Sequence, residues 1–270
     1  MSPSATADAT LEPGTVGFIG TGTITRAMVA GLCRNADRSL EIWLSPRNAA
    51  VAAELARQFS GVRVGASNQE VVDRAATLVL AVRPQDAMSV LRGIVFHSSQ
   101  RVISLIATLS YEALLPLIAP AKSLTLAAPL PTVEYGRGPT AIFPPNAAAE
   151  RLFSKISVPV QVERQSQFQA LFACTAELAS YFELLRTCAA FLGNGGIPPA
   201  DARRYVAALF AALGATAVES VTRSFQELVT DHMTKGGLNE QLHAELCREG
   251  VFASHTRSLT SILARIETGA

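Results

Sequence analysis

The residue types best suited to binding chemistry stand near the start of the chain, in the stretch 15–30, TVGFIGTGTITRAMVA. This stretch predicts a short apolar strand, a turn containing Gly20 and Gly22, and a helix that begins near Thr23. Gly20 permits a tight strand-to-helix turn, and Gly22 has no side chain to hold a pyrophosphate away from the backbone. The N–H groups and the positive dipole end of the helix then face the phosphates.

This spacing predicts a dinucleotide-binding turn in which the ligand contacts come from Gly20, Thr21, Gly22, Thr23 and Ile24. The third position of the usual glycine pattern, normally Gly or Ala, is Thr25 in this chain. A threonine there packs less closely against the strand but does not touch the phosphates. The alternative is an ordinary glycine turn that binds no ligand.

The end of the predicted second strand, EIWL at 41–44, indicates which dinucleotide the turn binds. An NAD-preferring site places Asp or Glu at the end of this strand, some 20 residues beyond the glycines, whereas the residues at that end are SPRN at 45–48, without a carboxylate. Arg47, with the Ser45 hydroxyl and the Asn48 amide, suits a 2′-phosphate, because a guanidinium donates to phosphate oxygens in a fork. The pattern favours NADP(H) over NAD(H). The alternative is that Arg47 is a solvated side chain at the start of a helix.

A third candidate segment follows the apolar strand TLVLAV at 77–82. A strand that is apolar throughout is typical of a parallel sheet with helices on both faces. The carboxyl end of such a strand borders the ligand crevice. We therefore predict that the coenzyme ribose is lined by Ala81, Val82, Arg83 and Pro84.

Strands alternate with helices up to about residue 163, which predicts an α/β fold class. The predicted organisation is a disordered tail at 1–14, a doubly wound Rossmann-type NADP-binding domain at 15–163, and an all-α dimerisation and substrate domain at 164–270. The helices predicted in the last domain are 168–193, about 197–231, about 238–248 and about 252–266.

The first of these helices, 168–193, is apolar on nearly every side. A helix with this pattern must be buried from every side. About one hundred residues of helix cannot easily bury it alone, so we predict an obligate homodimer with intertwined helices. The alternative is packing entirely against the first domain.

Composition narrows the class of partner. The chain has 23 basic and 22 acidic residues, a net charge of +1 and no basic block, which gives no electrostatic support for a nucleic-acid partner. Four scattered cysteines without a C-x-x-C pair predict reduced thiols in a cytoplasmic protein, with no disulfide framework and no metal site. No secretory signal and no apolar run near the roughly 20 residues of a membrane helix occur, so a soluble protein is expected.

By these features the chain resembles the pyrroline-5-carboxylate reductase family from about Thr15 to Ile266. The stretches that carry the resemblance are GFIGTGTI at 17–24, LVLAVRPQ at 78–85, VISLIATLS at 102–110, Gly136 with Gly138 before TAIF at 140–143, and Gly236-Gly237 ahead of a helix. The resemblance implies NADPH-dependent reduction of a small cyclic imine to a secondary amine, as in proline biosynthesis. It also implies a site between the two domains and a homodimer, or higher homo-oligomer, formed by the helical domains.

Three polar positions of the substrate half depart from the family's pattern. Its Met-Pro-Asn-Thr-Pro corresponds to APLPT at 128–132, so Leu130 replaces the usual Asn. Its Ser-Gly-Ser-Gly-Pro-Ala-Tyr corresponds to TAELASY at 175–181, which keeps only the Tyr. Its Ser-Pro-Gly-Gly-Thr-Thr corresponds to TKGGLN at 234–239, and Leu238 stands where the family places a Thr near the ring nitrogen. Leu238 cannot donate or accept a proton.

The turn nevertheless retains features that suit a carboxylated ring. Its two glycines precede a helix N-terminus that favours a carboxylate. The lysine beside them either pairs with that carboxylate or is a solvated loop residue. The predicted substrate-binding residues are Lys235, Gly236, Gly237 and Leu238. Thr234 and Asn239 are the candidates for the polar contact that Leu238 has lost.

Glu177 is the third catalytic candidate, because it stands in the apolar segment FACTAELASYF at 172–182. A carboxylate buried there needs a charged partner or a proton. We expect either an acid that protonates the imine, or an ion pair across the dimer with Arg186 or Arg203. Two further functions remain open: a catalytically inactive NADP-binding scaffold or sensor, and a reductase of a different imine or carbonyl.

Overall fold

The computed structural model describes residues 14–35, 40–106 and 109–268. The predicted disordered tail, 1–14, lies outside the described residues except for Gly14. Contacts along the backbone divide the chain into two compact units, Ala173–Arg265 and the remainder. The division falls within a helix that begins just after the predicted domain boundary at 163/164.

The first unit contains a single sheet of eight strands. The strands are β1 (Val16–Ile19), β2 (Ile42–Leu44), β3 (Val62–Val64), β4 (Thr77–Leu80), β5 (Arg101–Ser104), β6 (Ser123–Pro129), β7 (Pro139–Phe143) and β8 (Val158–Gln161). Their order is β3-β2-β1-β4-β5-β6-β7-β8, and every neighbouring pair is parallel except β6 with β7. Chain order reverses between β1 and β4, which is the switch point where ligands bind in doubly wound sheets. The predicted Rossmann-type α/β fold is confirmed.

Among the described residues, seven α-helices belong to this part of the chain. They are α1 (Thr23–Asn35), α2 (Ala49–Gln58), α3 (Asn68–Arg74), α4 (Pro84–Arg92), α5 (Tyr111–Leu114), α6 (Ala147–Ser154) and α7 (Gln165–Cys174). The sequence did not predict α4, which begins at a proline with its φ angle already set for a first helical turn. Past Leu114, α5 continues only as a 3₁₀ turn, since Pro116 has no N–H for an α-helical bond.

The core of the first unit lies on both faces of the sheet. All four residues of β1 and all four of β4 are buried. Val79 packs with Phe18 and Met28 on one face, and Leu78 and Leu80 pack on the other. This two-sided burial is why these strands read as continuous apolar runs. It holds the carboxyl ends of β1 and β4 side by side.

The second unit is all helical. Its helices are α8 (Glu177–Asn194), α9 (Pro199–Glu219), α10 (Phe225–Asp231), α11 (Leu238–Arg248) and most of α12 (Val251–Thr268). The predictions of single helices at 168–193 and 197–231 were wrong, because each is interrupted. The first breaks at 175–176, where the Ala176 N–H donates to the Ala173 carbonyl at 3.1 Å in a tightened turn. The second breaks at 220–224, where the Ser224 hydroxyl and the Glu227 carboxylate form a capping box that begins α10.

Many large apolar side chains of α8 and α9 are exposed in the single chain. No residue of α8 is buried, and only Ala202 and Val206 of α9 are. Phe182 and Phe191 on α8 are 63% and 75% exposed. An apolar surface of this extent is a feature of protein–protein contact regions.

Candidate functional site

The glycine turn between β1 and α1 is held in one conformation by the backbone beside it. Gly20 has a φ angle of 101°, in the region that favours glycine. A Cβ atom on Gly20 would lie 2.5 Å from the carbonyl oxygen of Ala81, the residue after β4. The Ala81 N–H in turn donates to the Ile19 carbonyl at 2.8 Å. Two adjacent strand ends therefore fix this turn, and only glycine fits at its first position.

Buried hydroxyl groups complete the turn. The Gly20 N–H donates to Ser45 Oγ at 2.8 Å, and Thr21 Oγ1 donates to the Ser45 carbonyl at 2.8 Å. Ser45 is 1% exposed. This corrects the expectation that Ser45 contacts a 2′-phosphate, since its hydroxyl is buried and engaged with the turn. Thr21 is 4% exposed, and its hydroxyl is likewise engaged with Ser45.

Thr25, the departure from the usual glycine pattern, also supports the turn. Its hydroxyl donates to the Gly20 carbonyl at 2.6 Å, and its side chain is fully buried. The expectation for Thr25, looser packing against the strand without contact with the phosphates, did not include this hydrogen bond. Sequence reasoning missed this bond because it depends on the turn folding back over the first helical residues.

The remaining residues of the turn leave room for a phosphate. A Cβ atom on Gly22 would meet no atom of the described residues within 4 Å, so the space before it is open. Thr23 is exposed and Ile24 is half-buried at the first turn of α1. The first N–H groups of a helix have no intrahelical partner. The open space, the bare glycine and the helix N-terminus together fit a pyrophosphate.

A group of three charged side chains lies at the carboxyl ends of β2 and β4. Arg47 Nη1 lies 3.1 Å from Asp86 Oδ2, and Arg83 Nε donates to the same oxygen at 3.0 Å. The hydrogen bond from Arg83 holds the pKa of Asp86 below its usual range, and the charge of Arg47 adds to this effect. The Arg47 side chain is 60% exposed and at the same time paired with Asp86. Asn48 is exposed and forms no capping hydrogen bond with α2.

The predicted ribose-lining segment runs directly from β4 into α4. Ala81 and Val82 are half-buried, and Arg83 and Pro84 are exposed. Arg83 immediately precedes α4 and Pro84 is its first residue. Asp86, in the first turn of α4, is the residue of this region that the sequence analysis missed. The signal for it was Pro84 followed by an acidic residue, which is a helix-start pattern.

A pocket of about 270 Å³ lies in the second unit, at the turn that precedes α11. It is lined by His232, Thr234, Gly237, Leu238 and Asn239. The structure thus brings together both polar candidates of the turn and two of the four predicted substrate-binding residues. It adds His232, which is not among the residues predicted for the site.

The turn itself is held by local hydrogen bonds. Asn239 Nδ2 donates to the His232 carbonyl at 3.0 Å, and the Gly237 N–H donates to the Thr234 carbonyl at 2.8 Å. The Gly236 N–H donates to Glu240 Oε2 at 2.6 Å. A carboxylate of the chain itself therefore occupies the place expected for a substrate carboxylate.

The other turn residues are open to solvent. Leu238 is 85% exposed, so its side chain is not part of any core. Lys235 is exposed and forms no ion pair within the part of the chain that the structure describes. Its ammonium group is available to an anionic ligand.

Glu177 differs from the expectation made for it. It stands in the first turn of α8 and is half-buried, with Oε1 2.6 Å from Nε2 of His255 on α12. Arg186, one of the two predicted partners, pairs with Glu183 in the same helix. Glu177 does not line the pocket at the turn. In this structure the Glu177 side chain therefore joins α8 to α12.

Comparison with known proteins agrees with this reading of the residues. Residues 15–108 match the family described as "NADP oxidoreductase coenzyme F420-dependent". A pyrroline-5-carboxylate reductase of Vibrio alginolyticus is 28% identical over 184 residues, which cover 64% of this chain and 67% of that enzyme.

Solved structures give a broader match in fold. A pyrroline-5-carboxylate reductase of Coxiella burnetii aligns with a TM-score of 0.83 at 20% identity, covering 96% of this chain and 99% of that one. The Plasmodium falciparum pyrroline carboxylate reductase with NADP bound aligns with a TM-score of 0.78 at 16% identity, covering 96% and 98%.

The fold and the glycine turn are those of a Rossmann-type dinucleotide-binding domain, and the family model matched over residues 15–108 is one of NADP oxidoreductases. Within this class, the resemblance to the pyrroline-5-carboxylate reductase family is confirmed. No group of three or more His, Cys, Asp or Glu residues that could hold a metal ion occurs among the residues described. Over the same residues, no helix is long and apolar enough to cross a membrane.

Proposed function

We propose that the protein reduces a cyclic imine, pyrroline-5-carboxylate or a close analogue, to the corresponding secondary amine with NADPH. The curated relatives that match the chain are pyrroline-5-carboxylate reductases. The observation that carries the proposal is the pocket of about 270 Å³ at 232–239, built by the loop that corresponds to the family's substrate loop. It is large enough for a five- or six-membered ring.

Bound NADPH supplies the hydride, and the chain supplies position and polarity. The Thr234 hydroxyl can donate to, or accept from, a ring nitrogen. Asn239 uses its amide nitrogen on the His232 carbonyl, which leaves its oxygen to accept an N–H from the ring. Lys235 can pair with a ring carboxylate at the rim. Holding the ring in a productive geometry is the largest contribution a site of this kind makes.

NADPH is the coenzyme that the strand ends favour. Gly20, Gly22 and Thr23 fit the pyrophosphate, and Arg47 with Asn48 offers donors to a 2′-phosphate. A solved relative in fold, from Plasmodium falciparum, has NADP bound. Arg47→Ala should raise the KM for NADPH while leaving that for NADH nearly unchanged.

The test of the function is NADPH oxidation with a panel of cyclic imines. The panel contains 1-pyrroline-5-carboxylate, 1-pyrroline-2-carboxylate, the six-membered piperideine-2-carboxylate and uncharged 1-pyrroline. We expect turnover of at least one carboxylated ring with NADPH preferred over NADH. A protein that oxidises NADPH only with open-chain ketones would establish a carbonyl reductase instead.

A second function is favoured by Leu238. This side chain is 85% exposed where the family places a hydroxyl, so a protein without catalysis is a coherent alternative. Such a protein would be an NADP-binding scaffold or sensor. It would bind NADPH tightly by calorimetry and oxidise it with no member of the panel.

We further propose a homodimer formed through α8 and α9. The support is the exposed apolar surface of these helices in the single chain, including Phe182 and Phe191. Light scattering should give the mass of a dimer or a higher multiple. Phe191→Glu should yield monomers, while Tyr135→Glu, an exposed aromatic of the first unit, should not.

The cytoplasm is the compartment we propose. Its support is chemical: all four cysteines of the chain are free thiols in the structure. Proteins of oxidising compartments usually pair such residues. Alkylation of the protein in intact cells, followed by mass analysis, should find all four thiols reduced.

A further inference from the structure

We infer that His232 is the acid that protonates the imine nitrogen, the role left open by Leu238. The inference rests on the proposed imine reduction and adds to it a specific proton donor. Three observations carry it: the place of His232 in the pocket wall, the hydrogen bond that fixes its ring, and the chemistry of the other wall residues.

The histidine ring is fixed by a backbone carbonyl. His232 directly follows α10, and its Nδ1 lies 2.7 Å from the carbonyl oxygen of Leu228. A carbonyl oxygen only accepts, so Nδ1 carries a hydrogen in this arrangement. The ring nitrogen that remains for other partners is Nε2. A bond of this kind at one nitrogen determines the role of the other.

The backbone around His232 is also restrained. Its carbonyl accepts from Asn239 Nδ2 at 3.0 Å, which joins the start of α11 to the end of α10. At the other end of α10, the Ser224–Glu227 capping box holds the first turn, and Arg223 forms an ion pair with Asp231. An imidazole supported in this way keeps its orientation when a ring enters the pocket.

The other wall residues cannot release a proton near neutral pH. The five residues of the wall contain one ionisable side chain, His232. Threonine and asparagine can donate hydrogen bonds, whereas leucine and glycine have no donor in their side chains. Histidine is the side chain that gains and loses a proton between about pH 5 and 8.

The charged groups around the histidine come from three segments. Asp231 on α10 is engaged with Arg223, and Glu240 on α11 accepts from the Gly236 N–H. Lys235 in the turn is exposed. No described ion pair joins any of these groups to the His232 ring.

The proton step balances as follows. Nε2 of the cationic imidazole gives its proton to the lone pair of the imine nitrogen, which forms an iminium and a neutral imidazole. The iminium carbon accepts the hydride from NADPH, which gives the secondary amine and NADP⁺. The imidazole recovers a proton from water. A positioned general acid of this kind contributes roughly 10²- to 10⁴-fold to the rate.

The test compares an imine that needs a proton with an iminium that does not. Neutral 1-pyrroline must be protonated, whereas 1-methyl-1-pyrrolinium already carries the positive charge. His232→Gln should lower kcat with 1-pyrroline about 10²-fold and change kcat with the methylated iminium less than twofold. His97→Gln, which removes a histidine of the first unit, should change neither. NADPH affinity by fluorescence and the circular dichroism spectrum should match wild type in both variants.

A second variant separates loss of a proton donor from loss of structure. His232→Gln combined with Leu238→Thr should recover part of the 1-pyrroline rate, because it restores a hydroxyl in the wall. Equal losses on both substrates, or no loss on either, would overturn the inference while leaving imine reduction in place. If wild-type protein binds NADPH but reduces neither substrate, the proposed function itself is wrong.

Discussion

Two glycine turns, each at the start of a helix, are the proposed sites of the coenzyme and of the substrate, and they are built differently. The turn before α1 lies among buried strand ends, and its first glycine would place a Cβ atom 2.5 Å from the Ala81 carbonyl oxygen. The turn before α11 is exposed, and a Cβ atom on Gly236 would meet no described atom within 4 Å. The first is specified by the core, and the second by a few local hydrogen bonds.

This difference explains why the sequence keeps the pattern of the pyrroline-5-carboxylate reductase family in the turn before α1 and departs from it in the turn before α11. A change in the turn before α1 disturbs strands that are buried on both faces. A change at Leu238 disturbs no packing, since its side chain is 85% exposed. The substrate turn can therefore exchange a hydroxyl for an alkyl group without loss of the fold, and the reaction chemistry must then come from neighbouring residues.

The largest effect is expected at Gly20. Gly20→Ala places a methyl group against the Ala81 carbonyl at a φ angle of 101°, and strain with overlap should cost about 3 kcal/mol of unfolding free energy. Urea unfolding followed by circular dichroism measures it. Coenzyme binding should be lost together with the stability.

Gly22→Ala is the matched control for that variant. Its methyl group meets no described atom, so the midpoint of unfolding should stay near wild type. The methyl group does enter the space that fits the pyrophosphate, so NADPH binding should weaken about tenfold, or about 1.4 kcal/mol. Unchanged binding in Gly22→Ala would contradict the assignment of this turn to the coenzyme.

The next effect tests the hydroxyl group beneath the same turn. Ser45→Ala leaves the Gly20 N–H without its acceptor, which should cost about 1–3 kcal/mol of stability. Ser258→Ala, on an exposed position of α12, should stay within about 0.5 kcal/mol of wild type. Equal stability of the two variants would show that the turn does not depend on this bond.

A smaller effect is expected at Asp86, because its carboxylate pairs with Arg47, the side chain proposed to contact a 2′-phosphate. Asp86→Asn removes a negative charge and releases Arg47, so the Kd for NADPH should fall about three- to fivefold while that for NADH stays constant. Asp73→Asn, on α3, removes an equal charge without touching Arg47 and should change neither. Calorimetry at low and moderate salt measures both.

The pH dependence of the Asp86→Asn effect follows from the direction in which the pKa of Asp86 is shifted. The pKa of Asp86 is lowered by its hydrogen bond from Arg83, so its carboxylate stays charged from neutral pH down to mildly acidic pH. Its contribution to folding is present above the unfolded pKa and is lost as the pH falls through the lower folded value. The difference in NADPH affinity between wild type and Asp86→Asn should therefore be flat from about pH 7 to 8, where the 2′-phosphate, with a second pKa of about 6, is also ionised. A difference that varies across this range would assign it to another group.

The sequence predicted the first region far more completely than the second. The doubly wound fold class follows from apolar runs that alternate with helices, and the glycine turn follows from its spacing. Ser45 was assigned to the ligand because a strand-end hydroxyl looks alike whether it faces solvent or the turn. The break at 175–176 was missed because a tightened turn inside an apolar run leaves no proline or glycine to mark it.

His232 and Glu240 were missed for a different reason. Each acts through a bond to the backbone of another residue, the Leu228 carbonyl and the Gly236 N–H, and residue types do not reveal such bonds. The Ser224–Glu227 capping box, in contrast, has a pattern visible in the sequence, a serine three residues before a glutamate, although the predicted helix 197–231 ran across it. Local pairs with a fixed spacing can be predicted, whereas bonds across a turn need the fold.

The smallest expected effect tests whether, in the second turn as in the first region, a carboxylate of the chain occupies the place of a ligand's anion. Glu240 accepts a hydrogen bond from the Gly236 N–H, and Asp86 accepts one from Arg47. In both regions a carboxylate of the chain therefore stands where a ligand's anion is expected. Glu240→Gln keeps an oxygen acceptor but removes the charge, and the KM for a carboxylated ring should fall about two- to threefold. The KM for uncharged 1-pyrroline should not change. A rise in the KM for both rings would mean that Glu240 only supports the turn, and the parallel between the two regions would not hold.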